Sequence, residues 1–287
     1  MSVSVLTLVR GRKRHLCNLI MSLEKQSRRP DELVIAWMQA EPFDDLPDTS
    51  FPLRHVFVAG MQLPLAKARN SAARAATGDC LVFLDVDCIA SQDMVASYIR
   101  AVEEQPGIFL SEVFYLPADA VDFTDDCTVL DAIGEPHVSK PRFPGSGTEE
   151  EPDGSQLWGL SFALRKCTWH SIGGMDERFV GYGGEETDFA ACAANAGFKT
   201  FRVGGARVYH QHHSISIPPL HHFEAIVRNA RHFREKHGRW CMEYWLGQFR
   251  DGGLIRWDGE SDALEILRRP QPDEIKAAEQ PGNVLYS

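Results

Sequence analysis

Two aspartates separated by one residue follow an apolar run in the first third of the chain. Residues 80–84, CLVFL, lead directly into Asp85-Val86-Asp87. An apolar run bounded by glycine and polar residues predicts a buried strand. Carboxylates at its exit either face water or hold a positive group, because burying them unpaired is costly. Two carboxylates so spaced can bind a divalent cation that neutralises a diphosphate, but Asp is also common in turns, so both interpretations stay open.

A second acidic cluster follows a run of glycines. Residues 181–188 read GYGGEETD, and an alanine-rich segment follows them. Glycines allow the backbone to bend and to approach a ligand closely. Acidic residues in a first helical turn also favour the helix dipole, so Glu185, Glu186 and Asp188 could be ordinary capping residues. Capping does not account for the glycine run, and the cluster is therefore also a candidate site.

Three histidines lie within four residues of one another after a strand-like stretch. His210, His212 and His213 follow residues 206–209. Neutral imidazole is the commonest protein ligand for metals, whereas a single histidine is usually structural. The density of histidines favours a metal-binding role.

The elements that would position these clusters alternate between strand and helix signals. The predicted strands are 3–9, 33–37, 53–58 and 80–84, and the predicted helices cover 16–23, 66–76 and 94–102. This alternation predicts an α/β fold with a mostly parallel sheet flanked by helices. Ligands bind at the carboxyl ends of strands in such sheets, where Asp85 and Asp87 are expected.

Composition and charge exclude several classes of protein. The chain has 287 residues, a formal net charge of −10 and a pI near 5.6, which disfavours a nucleic-acid binder. No stretch approaches ~18 consecutive apolar residues, so no transmembrane segment is expected. The N-terminus lacks the order of a signal peptide, and seven scattered cysteines indicate neither a zinc site nor a disulfide framework. The expected location is therefore the reducing cytoplasm.

Composition also suggests how the chain is divided. Residues 139–156, SKPRFPGSGTEEEPDGSQ, predict a long mobile loop, either a lid that orders over a ligand or a passive insertion. An apolar stripe from Phe223 to Phe233 predicts a late helix closed by His237-Gly238. We expect a main domain over 1–213, whose first part runs to about 110 and whose second part starts at about 157. A C-terminal helical extension and a loosely packed tail are expected over 214–287.

Four blocks, in this order, resemble glycosyltransferases of the GT-A fold. They are SVSVLTLVRGRKRHLCNLIMSLEKQ, LPLAKARNSAARAATGDCLVFLDVDCI, LWGLSFALRKCTWHSIGGMDERFVGYGGEETDFAACAANAGFKTFRV and ARVYHQHH. The resemblance covers roughly residues 2–213 and is to the family 2 group with a galactosyltransferase-type C-terminal region. It implies a Rossmann-like sheet and metal-dependent transfer of a sugar from a nucleotide diphosphate, with a UDP-sugar favoured. The acceptor would be a carbohydrate, a lipid-linked or a small molecule.

The resemblance also implies a role for each matching residue. Asp87 would bind Mn²⁺ or Mg²⁺ directly, Asp85 would lie nearer the ribose or a metal-bound water, and His210 would complete the shell, with His213 and His212 as rivals. Glu186 would be the catalytic base, with Glu185 orienting the acceptor and Trp158-Gly159 lining the sugar sites. The residues implied to bind the nucleotide sugar are Val9, Arg10, Arg12, Gln39, Arg69, Asn70, Asp85, Val86, Trp158 and Gly184.

Two departures from the family pattern leave alternatives open. Many family 2 members carry an acidic residue after the second strand, where this chain has Gln39. The usual Glu-Asp of the base motif is Glu-Glu here, so the base is either Glu186 or Asp188. A carboxylate base opposite the leaving group favours inversion, although retaining enzymes share the fold. Another metal-dependent enzyme, a hydrolase or nucleotidyltransferase, and a non-catalytic binding protein are the other candidates.

Overall fold

The computed structural model describes residues 1–60, 62–118, 120, 126–282 and 284–285. Ten strands form one mixed sheet, and two further strands form a small hairpin. The strands are β1 (Val3–Val9), β2 (Glu32–Trp37), β3 (Leu53–Phe57), β4 (Cys80–Leu84), β5 (Cys88–Ala90), β6 (Ile108–Tyr115), β7 (Glu135–Pro136), β8 (Thr148–Glu151), β9 (Ser161–Arg165), β10 (Thr200–His210), β11 (Ile255–Arg256) and β12 (Glu265–Ile266).

Helices alternate with these strands and continue beyond them. They are α1 (Lys13–Glu24), α2 (Leu65–Ala75), α3 (Met94–Glu104), α4 (Cys127–Ile133), α5 (Lys166–Ile172), α6 (Glu185–Asn195), α7 (Phe223–His237), α8 (Glu243–Asp251) and α9 (Pro272–Ala277). Short 3₁₀ turns cover Gly154–Gln156 and Leu220–His222. The predicted α/β class is confirmed, and the observed strands and helices lie close to the predicted ranges.

The main sheet runs in the order β3-β2-β1-β4-β9-β6-β10-β5. The first four of these strands are parallel, as are β6 and β10. β9 is antiparallel to both β4 and β6, with Val82 opposite Ala163. The sheet is therefore mostly parallel with an antiparallel strand at its centre, which brings the later half of the chain next to the exit of β4.

Two hydrophobic cores cover the faces of the sheet. Helices α1 and α3 pack on one face, and α2, α5 and α6 pack on the other. All seven residues of β1 are buried, as an apolar run in the centre of a two-sided sheet requires. The turn before β4 needs Gly78, because a Cβ there would lie 2.6 Å from the Ser4 nitrogen.

The expectation of one irregular loop over residues 139–156 is wrong for part of that segment. Thr148–Glu151 form β8, which pairs antiparallel with β10, and Arg202 of β10 forms ion pairs with Glu149 and Glu151. The acidic run suggested a solvated loop, but it is the partner of an arginine on the neighbouring strand. Ordering of this segment on donor binding stays a prediction.

The C-terminal extension has a core of its own. Helices α7, α8 and α9 and the β11–β12 hairpin enclose Ile226, Leu246 and Phe249. Leu264 and Ala278 are also buried there, so the expectation of a loosely packed tail is wrong for these residues. Within the part of the chain that the structure describes, no helix combines the length and apolar character needed to cross a bilayer. All seven cysteines are free thiols.

Candidate active site

Strand pairing brings Asp87 and His210 together. Asp87 lies between β4 and β5. The first residue of β5, Cys88, pairs with His210 at the end of β10. The backbone nitrogen of Gln211 also donates to the Asp87 carbonyl over 2.7 Å. The acidic strand exit and the histidine cluster are 123 residues apart in sequence (210 − 87), and the β5–β10 register makes them neighbours.

Two imidazoles face the Asp87 carboxylate. His210 Nε2 lies 3.6 Å from Asp87 Oδ1, and His213 Nε2 lies 3.6 Å from Asp87 Oδ2. One potential ligand atom from each of these three residues lies within 4.8 Å of the other two. His212 does not join this group, and its carbonyl is instead 3.2 Å from His15 Nε2.

The charge states of these groups suit a cation. Burial lowers the pKa of His210 to about 4 and also lowers that of His213, so both rings are neutral near pH 7. Burial acts to raise the pKa of Asp87, but the facing His210 and the guanidinium of Arg12 outweigh it and hold that pKa below its ordinary value. An ionised carboxylate and two neutral imidazoles are the protonation states that bind a metal.

The residues present therefore fit a divalent cation, with Asp87, His210 and His213 as its ligands. Nδ1 of His210 is buried, and no partner for it is found among the described residues. Arg12 is the positive group that pairs with Asp87 in this structure. Its backbone lies in the left-handed region, with φ at 59°, at the start of α1.

Asp85 belongs to a different group of side chains. Its Oδ1 lies 3.4 Å from Nη2 of Arg69 on α2, and it is not among the atoms that face His210 and His213. A direct bond from Asp85 to the cation is not part of this geometry, and its position nearer the ribose or a metal-bound water stays a prediction. Residues 85–88 form a turn, in which the Cys88 nitrogen donates to the Asp85 carbonyl over 2.9 Å, and this turn separates the two aspartates.

Arg69 is the centre of the second group. It is 2% exposed, and Nη2 lies 2.8 Å from Glu186 Oε1 while Nη1 lies 3.3 Å from Glu185 Oε1. Burial acts to lower the pKa of Arg69, but Glu186, Asp85 and Glu185 together raise it. One buried cation thus joins the exit of β4 to the start of α6.

The two neighbouring glutamates have different environments. Glu185 is 2% exposed, and burial together with Glu186 raises its pKa to about 8. The side chain of Glu186 is 17% exposed. A group that accepts a proton from a bound hydroxyl has to be reached by the acceptor, so the geometry favours Glu186 over Glu185 for contact with a substrate.

Gly159 allows Glu186 to approach the backbone closely. A methyl group at position 159 would lie 2.2 Å from Glu186 Oε1 and 2.8 Å from Arg69 Nη2, and its φ is +74°. Any larger residue would displace both side chains. The Trp158-Gly159 segment therefore lies beside the candidate base, and the backbone nitrogen of Asp85 donates to the adjacent Leu160 carbonyl over 2.9 Å.

Trp158 itself is half-buried and held on two sides. The Nζ of Lys140 lies 3.6 Å from the centre of its ring, and the ring of His137 meets it edge-on at 4.7 Å. Burial lowers the pKa of Lys140 to about 7. These contacts orient the indole next to the Gly159–Glu186 contact.

The structure does not bring Asp188 into either group. It is 1% exposed, and its carboxylate lies 2.7 Å from both Lys236 Nζ and His237 Nε2 of α7. Two residues along a helix turn about 200°, so Asp188 points away when Glu186 faces Arg69. Of the two alternatives for the base, the geometry favours Glu186.

Asn70 is also occupied by structural contacts. Its Nδ2 donates to the Met175 carbonyl over 2.8 Å, and its Oδ1 accepts from the Met175 nitrogen over 2.9 Å. Nδ2 also lies 3.0 Å from Glu177 Oε1. The expectation that Asn70 contacts the nucleotide is not supported, because its amide holds the 175–177 turn instead.

We therefore expect Asn70→Ala to lower stability and to leave donor affinity unchanged. Removing an amide that satisfies buried backbone groups costs about 1–3 kcal/mol. Urea unfolding measures the first effect and calorimetric titration with UDP measures the second. Lys67→Ala, an exposed position on the same helix, is the control and should change neither quantity. A loss of UDP affinity with unchanged stability would restore Asn70 to the nucleotide site.

The remaining predicted residues lie at or near strand exits. Val9 and Val86 are buried, so only their backbone could contact a ligand, and the Val9 carbonyl already accepts from the Met38 nitrogen. Gln39 lies beside the β1 exit, where its Oε1 accepts from the Gly11 nitrogen over 2.7 Å. Arg10 is exposed at the same exit. Gly184 begins α6 with φ at 95° against Phe179, so it shapes the backbone before Glu185.

Two residues near these groups were missed from the sequence. His15 approaches the His212 carbonyl, and Tyr182 lies within the glycine run with its ring stacked on His222 at 4.5 Å. A tyrosine placed among glycines before an acidic pair was a usable signal for an aromatic contact. His15 has no such signal, because its position depends on the distant β10.

Two family models match parts of this chain. A model described as glycosyl transferase family 2 matches residues 40–124, and one described as the N-terminal domain of galactosyltransferase matches residues 148–214. YfnE of Bacillus subtilis (strain 168), described as an uncharacterized glycosyltransferase, is 29% identical over 125 residues. That match covers 40% of this chain and 30% of YfnE, so the chain spans under a third of the length of this curated relative.

Solved structures show the same fold. GalNAc-T7 with UDP, GalNAc and Mn²⁺ superposes with a TM-score of 0.56 at 15% identity, over 74% of this chain and 43% of that one. S. aureus TarS 1-349 with UDP-GlcNAc superposes with a TM-score of 0.57 at 14% identity, over 82% of this chain and 67% of that one. At these identities the likeness concerns the fold. The predicted resemblance to GT-A glycosyltransferases is confirmed.

Proposed function

The chain has the GT-A fold and the family 2 sequence signature of glycosyltransferases, and from that premise we propose that it moves a sugar from a nucleotide diphosphate to an acceptor hydroxyl. The observation that carries this proposal is that the two groups of side chains described above lie next to each other at the exit of β4. Asp87 with His210 and His213 could hold a cation, and Asp85 joins the adjacent Arg69–Glu186 pair. A cation site beside a reachable carboxylate is what sugar transfer from a diphosphate requires.

The donor side of the site would hold the nucleotide and its diphosphate. Asp87, His210 and His213 would hold Mn²⁺ or Mg²⁺, which when bound neutralises the charge that develops on the leaving diphosphate. Arg12 adds a positive charge at the same place, and Arg10 and Gln39 lie at the adjoining β1 exit. UDP and UDP-GlcNAc in the related structures support a UDP-sugar as donor, and Mn²⁺ in one of them supports that metal.

The acceptor side would centre on Glu186. Arg69 holds Glu186 Oε1, so we assign Oε2 to accept the proton of the attacking hydroxyl. The acceptor oxygen then bonds to the anomeric carbon as the bond from that carbon to the diphosphate oxygen breaks. A base and a leaving group on opposite faces of the sugar invert the anomeric centre, so we propose an inverting transferase.

Several finer points are part of the same proposal. The acceptor would be a carbohydrate, a lipid-linked molecule or a small molecule. Residues 139–156 include β8 and Lys140, and Lys140 contacts Trp158. We propose that the rest of this segment orders when the donor binds, which would place it beside the residues that line the sugar sites. Location in the cytoplasm stays a prediction.

The function is tested by measuring UDP release from a panel of UDP-sugars with added acceptor sugars. We expect turnover that requires Mn²⁺ or Mg²⁺, disappears with chelator and rises with acceptor. Release of UDP at the same rate without any acceptor would indicate a metal-dependent hydrolase. Release of pyrophosphate from UTP and a sugar 1-phosphate, supplied in place of the UDP-sugar, would indicate a nucleotidyltransferase. An axial-to-axial or equatorial-to-equatorial product would indicate retention. Each outcome contradicts a different part of the proposal.

A further inference from the structure

We propose that a cavity between the β1 exit and the C-terminal extension binds a phosphate group carried by the acceptor. The inference rests on the proposed transfer function and adds the chemical class of the acceptor. The cavity has a volume of about 490 Å³ and is lined by Arg10, Leu63, Gly181, His222, Arg228 and Arg269, among others. A volume of this size accommodates a small molecule larger than a phosphate alone.

The charge of the lining is opposite to that of the whole chain. Arg10, Arg228 and Arg269 line the cavity, and Glu224 is its one acidic lining residue. The Glu224 carboxylate lies 2.6 Å from Nε of Arg269. Because Arg10 is already assigned to the donor side, Arg228, Arg269 and Glu224 leave a local charge near +1, whereas the full chain carries −10. A concentration of arginines in an acidic protein favours an anionic ligand.

Arginine is also suited in shape to a phosphate. Its planar guanidinium presents donors in a fork that matches two phosphate oxygens. Arg228 uses one nitrogen to donate to the Val180 carbonyl, which fixes the side chain at the cavity wall and leaves further donors on the same group. Arg269 is 75% exposed.

The cavity is continuous with the segment that carries the candidate base. Gly181, the first residue of the GYGGEE run, lines the cavity, and its nitrogen donates to the Leu63 carbonyl over 2.8 Å. A methyl group there would lie 2.6 Å from Ala225 Cβ on α7. The next residue, Tyr182, stacks on His222, a second lining residue. A ligand in the cavity thus touches the segment that ends at Glu186.

Asn229 keeps this arrangement in place. It is 1% exposed, and its Nδ2 donates to the Gly183 carbonyl over 2.8 Å. The glycine run is thereby attached to α7, which also supplies Arg228. The C-terminal extension therefore has a place in the proposed site, as the wall that would hold the charged end of the acceptor while a hydroxyl reaches Glu186.

The experiment is a titration with inorganic phosphate followed by methyl NMR. Leu63 and Ile275 line the cavity and report on binding, and Leu33 in the sheet core is the internal control. The titration is run on the free protein and again with saturating UDP and Mg²⁺. The variants are Arg228→Gln, Arg269→Gln and, as the control, Arg256→Gln, whose arginine pairs with Glu265 on the distal hairpin.

We expect saturable shifts at Leu63 and Ile275 that persist when UDP and Mg²⁺ are bound. The apparent phosphate Kd should rise about 10-fold or more in Arg228→Gln and Arg269→Gln, because each substitution removes a charge-assisted hydrogen bond to the phosphate. The Kd should stay unchanged in Arg256→Gln. UDP affinity should be the same in all of them. Because Arg269 is exposed, its variant tests the proposal even where Arg228→Gln disturbs the Val180 contact.

Four results would overturn the inference. Shifts that are lost when UDP binds, or a weaker UDP affinity in the arginine variants, would assign the cavity to the donor. An absence of saturable shifts, or equal affinity for acetate, would remove the phosphate assignment. A failure of the transfer function itself is seen separately, as the absence of UDP-sugar turnover, because the phosphate titration on the free protein requires no catalysis.

Discussion

Glu186→Gln is expected to lower turnover by about 10²–10⁴-fold while donor affinity is retained. Gln keeps the size of Glu and can still accept from Arg69, but it cannot take up the proton of the attacking hydroxyl. A positioned general base contributes this range of rate. The proposed cation site consists of Asp87, His210 and His213, which the substitution leaves in place. The measurement pairs single-turnover UDP-sugar kinetics with a calorimetric titration of UDP in the presence of Mn²⁺.

Asp188→Asn is the matched control because it makes the same chemical change two residues away. It weakens the buried contacts with Lys236 and His237, so we expect a lower melting temperature and nearly unchanged turnover in the fraction that remains folded. If Asp188→Asn loses turnover and Glu186→Gln does not, the base is Asp188. If neither variant loses turnover, both carboxylates are structural and the inverting mechanism has no support.

Asp87→Asn is expected to weaken Mn²⁺-dependent UDP binding by more than about 100-fold. Asp87 is the carboxylate that both imidazoles face, and changes to groups that merely orient a metal ligand already cost 10–100-fold in affinity. The substitution keeps the shape of the side chain and removes its charge. Calorimetry with Mn²⁺ and again with chelator gives the metal-dependent part of UDP binding, and Mn²⁺ binding alone can be followed by electron paramagnetic resonance.

Asp93→Asn controls for the loss of one negative charge beyond the opposite end of β5, since Asp93 is exposed and its carboxylate accepts from Ser27 Oγ over 2.6 Å. It should bind Mn²⁺ and UDP as the unsubstituted protein does. Arg12→Gln gives a further check, because it removes the guanidinium that pairs with Asp87 and should tighten Mn²⁺ binding in the absence of nucleotide. Unchanged Mn²⁺ affinity in Asp87→Asn would rule out the assigned cation site.

The sequence by itself determined the features that depend on neighbouring residues. The apolar run of β4, the alternation of strands and helices up to α3 and the helix that Gly238 ends all follow from local periodicity and turn residues. The Asp85–Asp87 exit and the GYGGEE run could be recognised for the same reason. Local patterns also placed His210 at the end of a strand, where a metal ligand would be useful.

The tertiary structure alone decided how those features are shared between the two groups of side chains. Only the β5–β10 register sets His210 and His213 against Asp87. Only the tertiary placement of α2 beside the β4 exit and the start of α6 brings Arg69 to Asp85 and Glu186. The helical turn at α6 separates Glu186 from Asp188, whose partners lie on α7. The antiparallel β9, the pairing of β8 and the arginine-lined cavity likewise join segments distant in sequence. Long-range contacts of this kind depend on how whole elements pack, which no local pattern of residues specifies.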